Sequence, residues 1–444
     1  MSELRRGLRP ALRLGAAIAV LLAASPAAAQ DGGIDKGDTA WVLVSSALVL
    51  LMTPALAFFY GGLVRRKNVL SILMQCFLCL SLMTILWVMF GFSLAFAPDA
   101  LGGLVGGGDY FFLRGVTFEP WGSTTIPGQL FMVFQGMFAI ITPALMVGAF
   151  AERMKFSAIC LFMGLWLLLV YCPVAHWVWG GAGGFFGLGG DGALDFAGGT
   201  VVHINAGVSA LVASLLLGRR QGYPTSTSPP HNLPFAVLGT GLLWFGWFGF
   251  NAGSALAANE QAVNAFVTTH VATAAAALVW GGLDWMRHKR PTLLGVITGA
   301  VSGLVAITPA CGFVSPLGAI CVGGGASLVA YFAVVKLKPR LGYDDSLDVF
   351  GVHGVAGIWG AIATGLWATS ASPNSTVDGL FYGNPAQVLI QLKAVAFTIV
   401  WAAVVSFVLL KVIDLVLGLR VGEHEERIGL DLTEHREVAY TLVD

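Results

Sequence analysis

The sequence predicts an all-α polytopic membrane protein with eleven transmembrane helices, and three observations lead to this fold class. Of the 444 residues, 57% are hydrophobic and only 11% are charged, whereas an ordinary soluble domain is about 25% charged. Apolar segments of about 20 residues, the length that crosses the hydrocarbon core as a helix, recur along the chain. Basic residues cluster in every second connection between these segments. The net charge of zero gives no bulk attraction to nucleic acid.

Residues 1–29 have the features of a cleaved signal peptide. Four arginines precede a short apolar run, and an Ala-Ala-Ala string at 27–29 offers a small-residue cleavage site. Cleavage there would leave the mature N-terminus outside the cytoplasm, in the periplasm. The mature chain would then consist of a transmembrane domain over 30–417 and a C-terminal tail over 418–444.

Eleven apolar segments follow the signal peptide, and each is a candidate membrane span. They are predicted near 40–63, 69–97, 126–150, 156–180, 197–218, 233–255, 261–284, 292–311, 316–337, 346–369 and 386–417.

The distribution of basic residues predicts the orientation of these spans. Clusters follow the odd-numbered spans, at 65–67, 153–155, 219–220, 287–290 and 336–340. The alternate connections contain a single basic residue, Arg114. Because basic loops stay in the cytoplasm, odd-numbered spans should end there and the C-terminus should be cytoplasmic.

The odd number of spans allows two five-helix halves of opposite orientation, spans 1–5 and 6–10, with a peripheral last helix. Inverted repeats of this kind place a substrate site at their interface, near the middle of the bilayer. Ionisable residues inside membrane spans mark such sites. Here Asp195 and His203 lie in the fifth span, and Asp348 and His353 lie in the tenth. The two pairs therefore occupy equivalent places in the two halves.

Glycines flank both histidines, so their helices could approach closely enough for the two imidazoles to meet. A neutral imidazole donates from one nitrogen and accepts at the other, which suits a small neutral polar molecule in an apolar channel. A buried histidine is otherwise a satisfied core group. Asp195, eight residues before His203, is either a helix N-cap or a group that stabilises a cation at the external mouth. Asp348 has the same two interpretations on the opposite side.

Aromatic side chains are the second group of candidates, because a ring face attracts a small cation by ~0.5–1 kcal/mol when exposed and by ~2 or more when desolvated. Phe134 and Phe138 share one face of the third span, and Phe250 and Ser254 share one face of the sixth. The alternative is that aromatic residues near the membrane surface belong to the interfacial belt.

Other unusual residues of the spans have structural explanations. His270 has no matching partner in the other half and is interpreted as packing. The six cysteines lack metal-ligand spacing and are interpreted as small buried residues.

Six strings, spread over the mature chain, resemble the ammonium transporter (Amt/Mep/Rh) family. They are FFYGGLVR at 58–65, FQGMFA at 134–139, AERMKF at 151–156, LDFAGGTVVHINAG at 194–207, GWFGFNAGS at 246–254 and DVFGVHG at 348–354. The resemblance implies an eleven-helix bundle with two inverted halves, assembled as a homotrimer with one pore per subunit in the cell inner membrane. It implies transport of ammonium or ammonia, with methylammonium as an analogue, and neither enzymatic activity nor a cofactor or metal.

The resemblance also implies roles for eight residues. In this family pattern an external ammonium site is formed by Trp179, Phe134 and Ser254, and Asp195 supports cation recruitment. Phe138 and Phe250 form a stacked phenyl gate. His203 and His353 line the pore. The tail matches the segment that helps to bind PII-type signal proteins. From its acidic composition alone, the tail is either a solvated segment or a regulatory contact on the cytoplasmic face.

Transfer of a bare ammonium ion into a dry apolar pore costs several kcal/mol or more. We therefore expect capture as a cation, loss of the proton near the gate and conduction of ammonia past the histidines. Two other functions stay open at this stage. One is an ammonium sensor that signals through its tail. The other is a membrane metalloenzyme, which would need three protein ligands on matching faces for a catalytic zinc ion.

Overall fold

The computed structural model describes residues 33–180, 192–225 and 228–441. Ten helices in these ranges are long and apolar enough to cross a membrane, and an eleventh is shorter. In chain order they are α1 (Lys36–Leu63), α2 (Arg66–Phe96), α3 (Gly128–Phe150), α4 (Phe156–Trp179), α5 (Gly199–Leu217), α6 (Leu233–Ala255), α7 (Glu260–His288), α8 (Leu293–Ile307), α9 (Pro316–Leu341), α10 (Phe350–Trp367) and α11 (Ala386–Leu417). The predicted eleven-span fold is therefore confirmed. The predicted signal peptide lies outside the described residues.

Capping side chains and prolines set several helix ends. A side-chain oxygen accepts a backbone N–H in the first turn of α1, α6, α7, α8 and α9, and the residues that do so are Asp35, Asn232, Asn259, Thr292 and Ser315. The sequence predicts the eighth span over 292–311, whereas α8 ends at Ile307. It ends early because Pro309 has no N–H to continue the helical hydrogen bonding.

The two halves meet through their equivalent helices. The first helices, α1 and α6, pack together, and so do the fifth helices, α5 and α10. Glycines make both contacts possible: a Cβ at Gly246 would lie 2.3 Å from Met52 Cγ, and one at Gly207 would lie 2.2 Å from the Gly354 backbone nitrogen. Small residues at helix crossings are the usual means of close approach in membranes. The candidate site lies between these paired helices.

One face of the bundle carries the long connection between α2 and α3, and we call it the loop face. This connection contains an antiparallel hairpin of β1 (Asp99–Ala100) and β2 (Val105–Gly106). A short 3-10 turn follows at Phe111–Leu113.

The opposite face carries the C-terminal tail, and we call it the tail face. The tail forms two short helices, α12 (Glu423–Ile428) and α13 (Leu430–His435). Its entry is hydrogen-bonded to the turn between α3 and α4, with Val421 N donating to Arg153 O at 3.0 Å and Lys155 N donating to Leu419 O at 2.9 Å. The described part of the tail therefore packs against the bundle and is not a solvated segment, which was the other alternative.

Two tail carboxylates cap membrane helices. Asp431 Oδ1 accepts a hydrogen bond from Ser71 N at the start of α2, at 2.8 Å. Glu434 Oε2 accepts one from Phe156 N at the start of α4, at 2.9 Å. Helix N-termini expose backbone N–H groups without intrahelical partners and favour negative charge. The tail therefore completes two of the spans that begin on this face.

Candidate functional site

Three cavities follow one another between the two faces of the bundle. The loop-face cavity has a volume of about 180 Å³, the middle cavity about 10 Å³ and the tail-face cavity about 380 Å³. Phe138 lines the first cavity and contacts Phe250, which lines the second. His353 lines both the second and the third. The cavities therefore mark out one interrupted passage.

The loop-face cavity gathers three of the predicted site residues, Phe138, Trp179 and Ser254. Phe134, which the resemblance assigns to the external site, does not line it. Its ring is fully buried beside Phe138, with centroids 5.1 Å apart, and a Cβ at Gly253 of α6 would lie 3.0 Å from Phe134 Cε2. The helix face formed by Phe131, Gln135 and Phe138 points into the cavity instead. Phe134 lies at the edge of this face, where α6 covers it.

Hydrogen bonds fix the polar groups of this cavity. The Ser254 hydroxyl donates to Phe250 O at 2.8 Å, so its oxygen keeps lone pairs that can accept a hydrogen bond. The indole of Trp179 donates to the backbone carbonyl of Asp195 at 2.9 Å. The cavity thus offers aromatic surface and a hydroxyl acceptor in fixed positions.

The Phe138 and Phe250 rings separate the loop-face cavity from the middle one. Their centroids lie 4.4 Å apart at an interplanar angle of 45°, and both side chains are buried. The resemblance implies a stacked pair, whereas the observed rings are tilted against each other. In this conformation they close the passage.

The two predicted pore histidines meet in the middle cavity. Their Nδ1 atoms lie 3.3 Å apart and their rings are nearly parallel, at 20°. Since one Nδ1 must donate and the other accept, the two neutral rings carry different tautomers. His203 also stacks on Trp247 at 5.5 Å. Its Nε2 has no hydrogen-bond partner within the described residues.

The surroundings of the histidine pair are apolar. The remaining lining of the middle cavity is Met52, Leu56, Ile141, Leu145, Val202, Leu243, Trp247, Phe250 and Val301. A cavity needs about 10–15 Å³ to hold one water molecule, so this space suits one small molecule at a time. The unpartnered nitrogen of His203 is the polar atom that such a molecule would meet.

Each histidine lies in a π-helical turn that an upstream carboxylate caps. Asp195 accepts backbone hydrogen bonds from the turn Gly199–Ile204, including Gly199 N at 2.5 Å and Thr200 N at 2.8 Å. Its carboxylate is buried, and it does not line the loop-face cavity. Among the two interpretations of Asp195, the observed geometry is that of a helix cap. π-Turns inside helices are rare and concentrate at functional sites.

The counterpart of Asp195 in the second half is Asp345 and not Asp348. Asp345 accepts a hydrogen bond from Phe350 N at 2.7 Å, at the start of the π-turn Phe350–Val355. Asp348 instead pairs with Lys338 at 2.6 Å. The sequence contains a signal that identifies Asp345, because it precedes His353 by eight residues, the spacing of Asp195 and His203.

These features define a class of protein: a helical membrane protein with two inverted halves and a narrow internal passage that two histidines line. Comparison with known proteins gives the family. The sequence model of the Ammonium Transporter Family matches residues 40–440. The ammonium transporter of Bacillus subtilis is 50% identical over 408 residues, which cover 92% of this chain and 99% of that protein. Ammonium transporter Amt1 of Archaeoglobus fulgidus is 45% identical over 412 residues, 92% of this chain and 100% of that protein.

Solved structures agree with the sequence comparisons. Mep2 of Saccharomyces cerevisiae superposes with a TM-score of 0.80 at 36% identity, over 88% of this chain and 92% of that one. A structure described as a sensor Amt protein superposes with a TM-score of 0.83 at 28% identity, over 90% and 98% of the two chains. The chain belongs to the ammonium transporter family, whose members are transporters and not enzymes.

Proposed function

We propose that this ammonium transporter takes up the cation at the loop-face cavity, removes its proton at the phenyl gate and conducts ammonia past His203 and His353. The observation that carries the proposal is the contrast between the cavities on either side of Phe138 and Phe250. Before the gate lie aromatic rings and the Ser254 hydroxyl, and beyond it lies a space of about 10 Å³ with apolar walls.

The free energy of placing a cation differs between the two sides of the gate. At the loop-face cavity the Phe138 and Trp179 rings can attract a cation, and the Ser254 oxygen can accept one of its hydrogen bonds. No carboxylate is among the described residues that line the middle cavity, so an ion there would lose hydration without a compensating charge. A neutral molecule avoids that cost, and the unpartnered Nε2 of His203 can hydrogen-bond it.

Transport measurements in proteoliposomes test this mechanism. We expect His203→Ala and His353→Ala to reduce ammonium-evoked current on a solid-supported membrane, or to alter selectivity against larger cations. His270→Ala is the matched control, since His270 lies on α7 against Trp244 and lines none of the three cavities. Unchanged flux and selectivity in both pore variants would remove the histidines from the mechanism.

We also propose that the loop face is external, that the tail face is cytoplasmic and that the subunit assembles as a homotrimer in the cell inner membrane. The basic clusters at the tail-face ends of the spans support the orientation. Cysteine-accessibility labelling in intact cells and native mass spectrometry test these two statements. Mass spectrometry of the purified protein tests cleavage after residue 29.

A sensing role is the second candidate function, and the docked tail favours it because this segment contacts two membrane helices directly. The tail also presents acidic and basic groups through which a PII-type protein could bind the same face. Deletion of residues 419–444 separates the roles. Lost signalling with retained uptake would support sensing, and lost uptake would assign the tail to transport.

A further inference from the structure

A fourth cavity, of about 450 Å³, lies beside the loop-face cavity. We call it the aromatic chamber, because five of its lining residues are aromatic: Phe96, Tyr110, Trp121, Phe131 and Trp179. Three of them, Phe96, Phe131 and Trp179, also line the loop-face cavity. The two spaces therefore adjoin through shared walls.

Hydrogen bonds hold the connection that forms the chamber wall. Gly128 N donates to Glu119 O at 2.8 Å, and Trp121 N donates to Ile126 O at 3.0 Å. Gly122, which lines the chamber, has a φ of 55°, a backbone conformation that residues other than glycine rarely adopt. This backbone geometry shapes the wall before any ligand arrives.

Ring packing fixes the aromatic walls. Trp121 stacks on Phe131 with centroids 5.1 Å apart at 11°, and Tyr110 packs edge-on against Trp121 at 5.4 Å. Aromatic side chains that are already ordered lose little entropy when a ligand binds against them. The chamber is therefore preorganised.

The charge at the chamber favours a cation. Glu119 lines it and is exposed, and within the described residues its carboxylate has no hydrogen bond or ion pair. Among the described residues that line it, none is a lysine, arginine or histidine. Asp99, an acidic residue of the same α2–α3 connection that does not line the chamber, is paired with His176 at 2.9 Å. The Glu119 carboxylate is thus available to a cation in a cavity with aromatic walls.

We propose that the aromatic chamber binds small monovalent ammonium-type cations, including quaternary alkylammonium ions, before they reach the loop-face cavity. Recognition of quaternary ammonium groups is the main functional use of aromatic cages. A quaternary ion fits a space of 450 Å³ but not the middle cavity of about 10 Å³. It should therefore bind without being transported. The statement that the chamber feeds the loop-face cavity rests on the proposed function, whereas binding to the chamber does not.

Tetramethylammonium is the probe. We expect it to raise the half-saturating ammonium concentration of the wild-type current without lowering the maximal current, with sodium chloride matching the ionic strength. Trp121→Leu and Glu119→Gln should each weaken this inhibition about fivefold, the loss expected for one cation–π or charge contact. Trp121→Phe keeps a ring and should stay within about twofold of wild type.

Two variants in the same connection are matched controls. Asp109→Asn and Phe112→Leu change an acidic and an aromatic residue that do not line the chamber, and they should leave the inhibition unchanged. Equal inhibition of the wild type, Trp121→Leu and Glu119→Gln would overturn the proposal. So would an absence of inhibition in the wild type. A normal maximal ammonium current shows that each variant is folded.

Calorimetric titration of the purified protein with tetramethylammonium chloride measures binding without transport. Binding that weakens in Trp121→Leu supports the chamber even if the proposed conduction mechanism fails. Conversely, a loss of ammonium current in Trp179→Leu, with no tetramethylammonium binding to the wild type, would retain the proposed function and reject the chamber.

Discussion

The carboxylate of Asp195 accepts a hydrogen bond from Thr200 N at 2.8 Å and also from the hydroxyl of the same residue. Further bonds come from the backbone N–H groups of Gly198, Gly199 and Val201, at 2.9, 2.5 and 3.2 Å. One buried carboxylate therefore caps the start of the π-turn that contains His203. In the second half, the Asp345 carboxylate has fewer such bonds, with Phe350 N donating at 2.7 Å and the N–H of Val349 also directed at it.

This difference in the number of hydrogen bonds predicts that two matched substitutions lower stability by different amounts. Asp195→Asn replaces an acceptor oxygen by an NH₂ group that faces backbone donors, and it should cost about 2–3 kcal/mol of stability, as for hydrogen bonds to charged groups. Asp345→Asn should cost about 1 kcal/mol. Thermal unfolding in detergent measures both, and methylammonium uptake should fall more in Asp195→Asn. Equal effects of the two substitutions would contradict the difference in capping.

The contact between Gly207 and Gly354 predicts a strong steric effect. A Cβ at Gly207 would lie 2.2 Å from the Gly354 nitrogen, so Gly207→Ala must separate α5 from α10 and move His203 away from His353. We expect a loss of about 1–3 kcal/mol, as for overpacking, together with loss of ammonium current. Gly241→Ala on α6 is the control, because a Cβ there meets nothing within 4 Å. A fully active, stable Gly207→Ala variant would show that this crossing does not set the histidine geometry.

The tail caps predict local opening on the tail face. Asp431→Ala removes the acceptor for Ser71 N and should cost about 1 kcal/mol, as for an N-cap. Hydrogen exchange of the first turn of α2 should become several times faster. Glu437→Ala, at an exposed position beyond α13, should leave exchange unchanged. Equal protection in both variants would mean that the tail does not stabilise α2.

A buried ion-pair cluster on the tail face predicts acid sensitivity. Burial alone would raise the pKa of Glu152, but the hydrogen bond and charge of Arg65, 2.8 Å away, and the charge of Arg220 lower it below its usual range. The ionised carboxylate therefore stabilises the folded state above its unfolded pKa of about 4.3. This contribution is lost as the pH falls through the lower folded pKa.

We therefore expect Glu152→Gln to be less stable than wild type at neutral pH by about 3 kcal/mol, the cost of breaking a buried pair. The difference should shrink as the pH falls below about 4. Thermal unfolding between neutral and acidic pH measures it. Glu423→Gln, an exposed change, is the control. A difference that stays constant with pH would rule out the carboxylate charge as the source of stability.

Much of the site could be predicted from residues close together in the chain. The positions of His203 and His353 follow from single ionisable residues in apolar spans, and their meeting follows from the flanking glycines. The prediction of Asp348 is wrong for the cap because nearness to His353 in the chain favours Asp348, whereas the spacing of eight residues identifies Asp345. The sequence does not show which of Phe134 and Phe138 faces the loop-face cavity, because both lie on one side of α3. Only the packing of α6 decides which ring faces it.

The eleven spans and the two equivalent histidine positions can be predicted from the amino-acid sequence, because the preference of a segment for hydrocarbon depends on its own composition. Four features emerge only in the folded chain: which rings line the passage, which carboxylate caps each π-turn, how the tail meets α2 and α4, and how the loop between α2 and α3 forms a wall of the aromatic chamber. These features depend on contacts between residues far apart in the chain, and local hydrophobic pattern contains no information about such contacts.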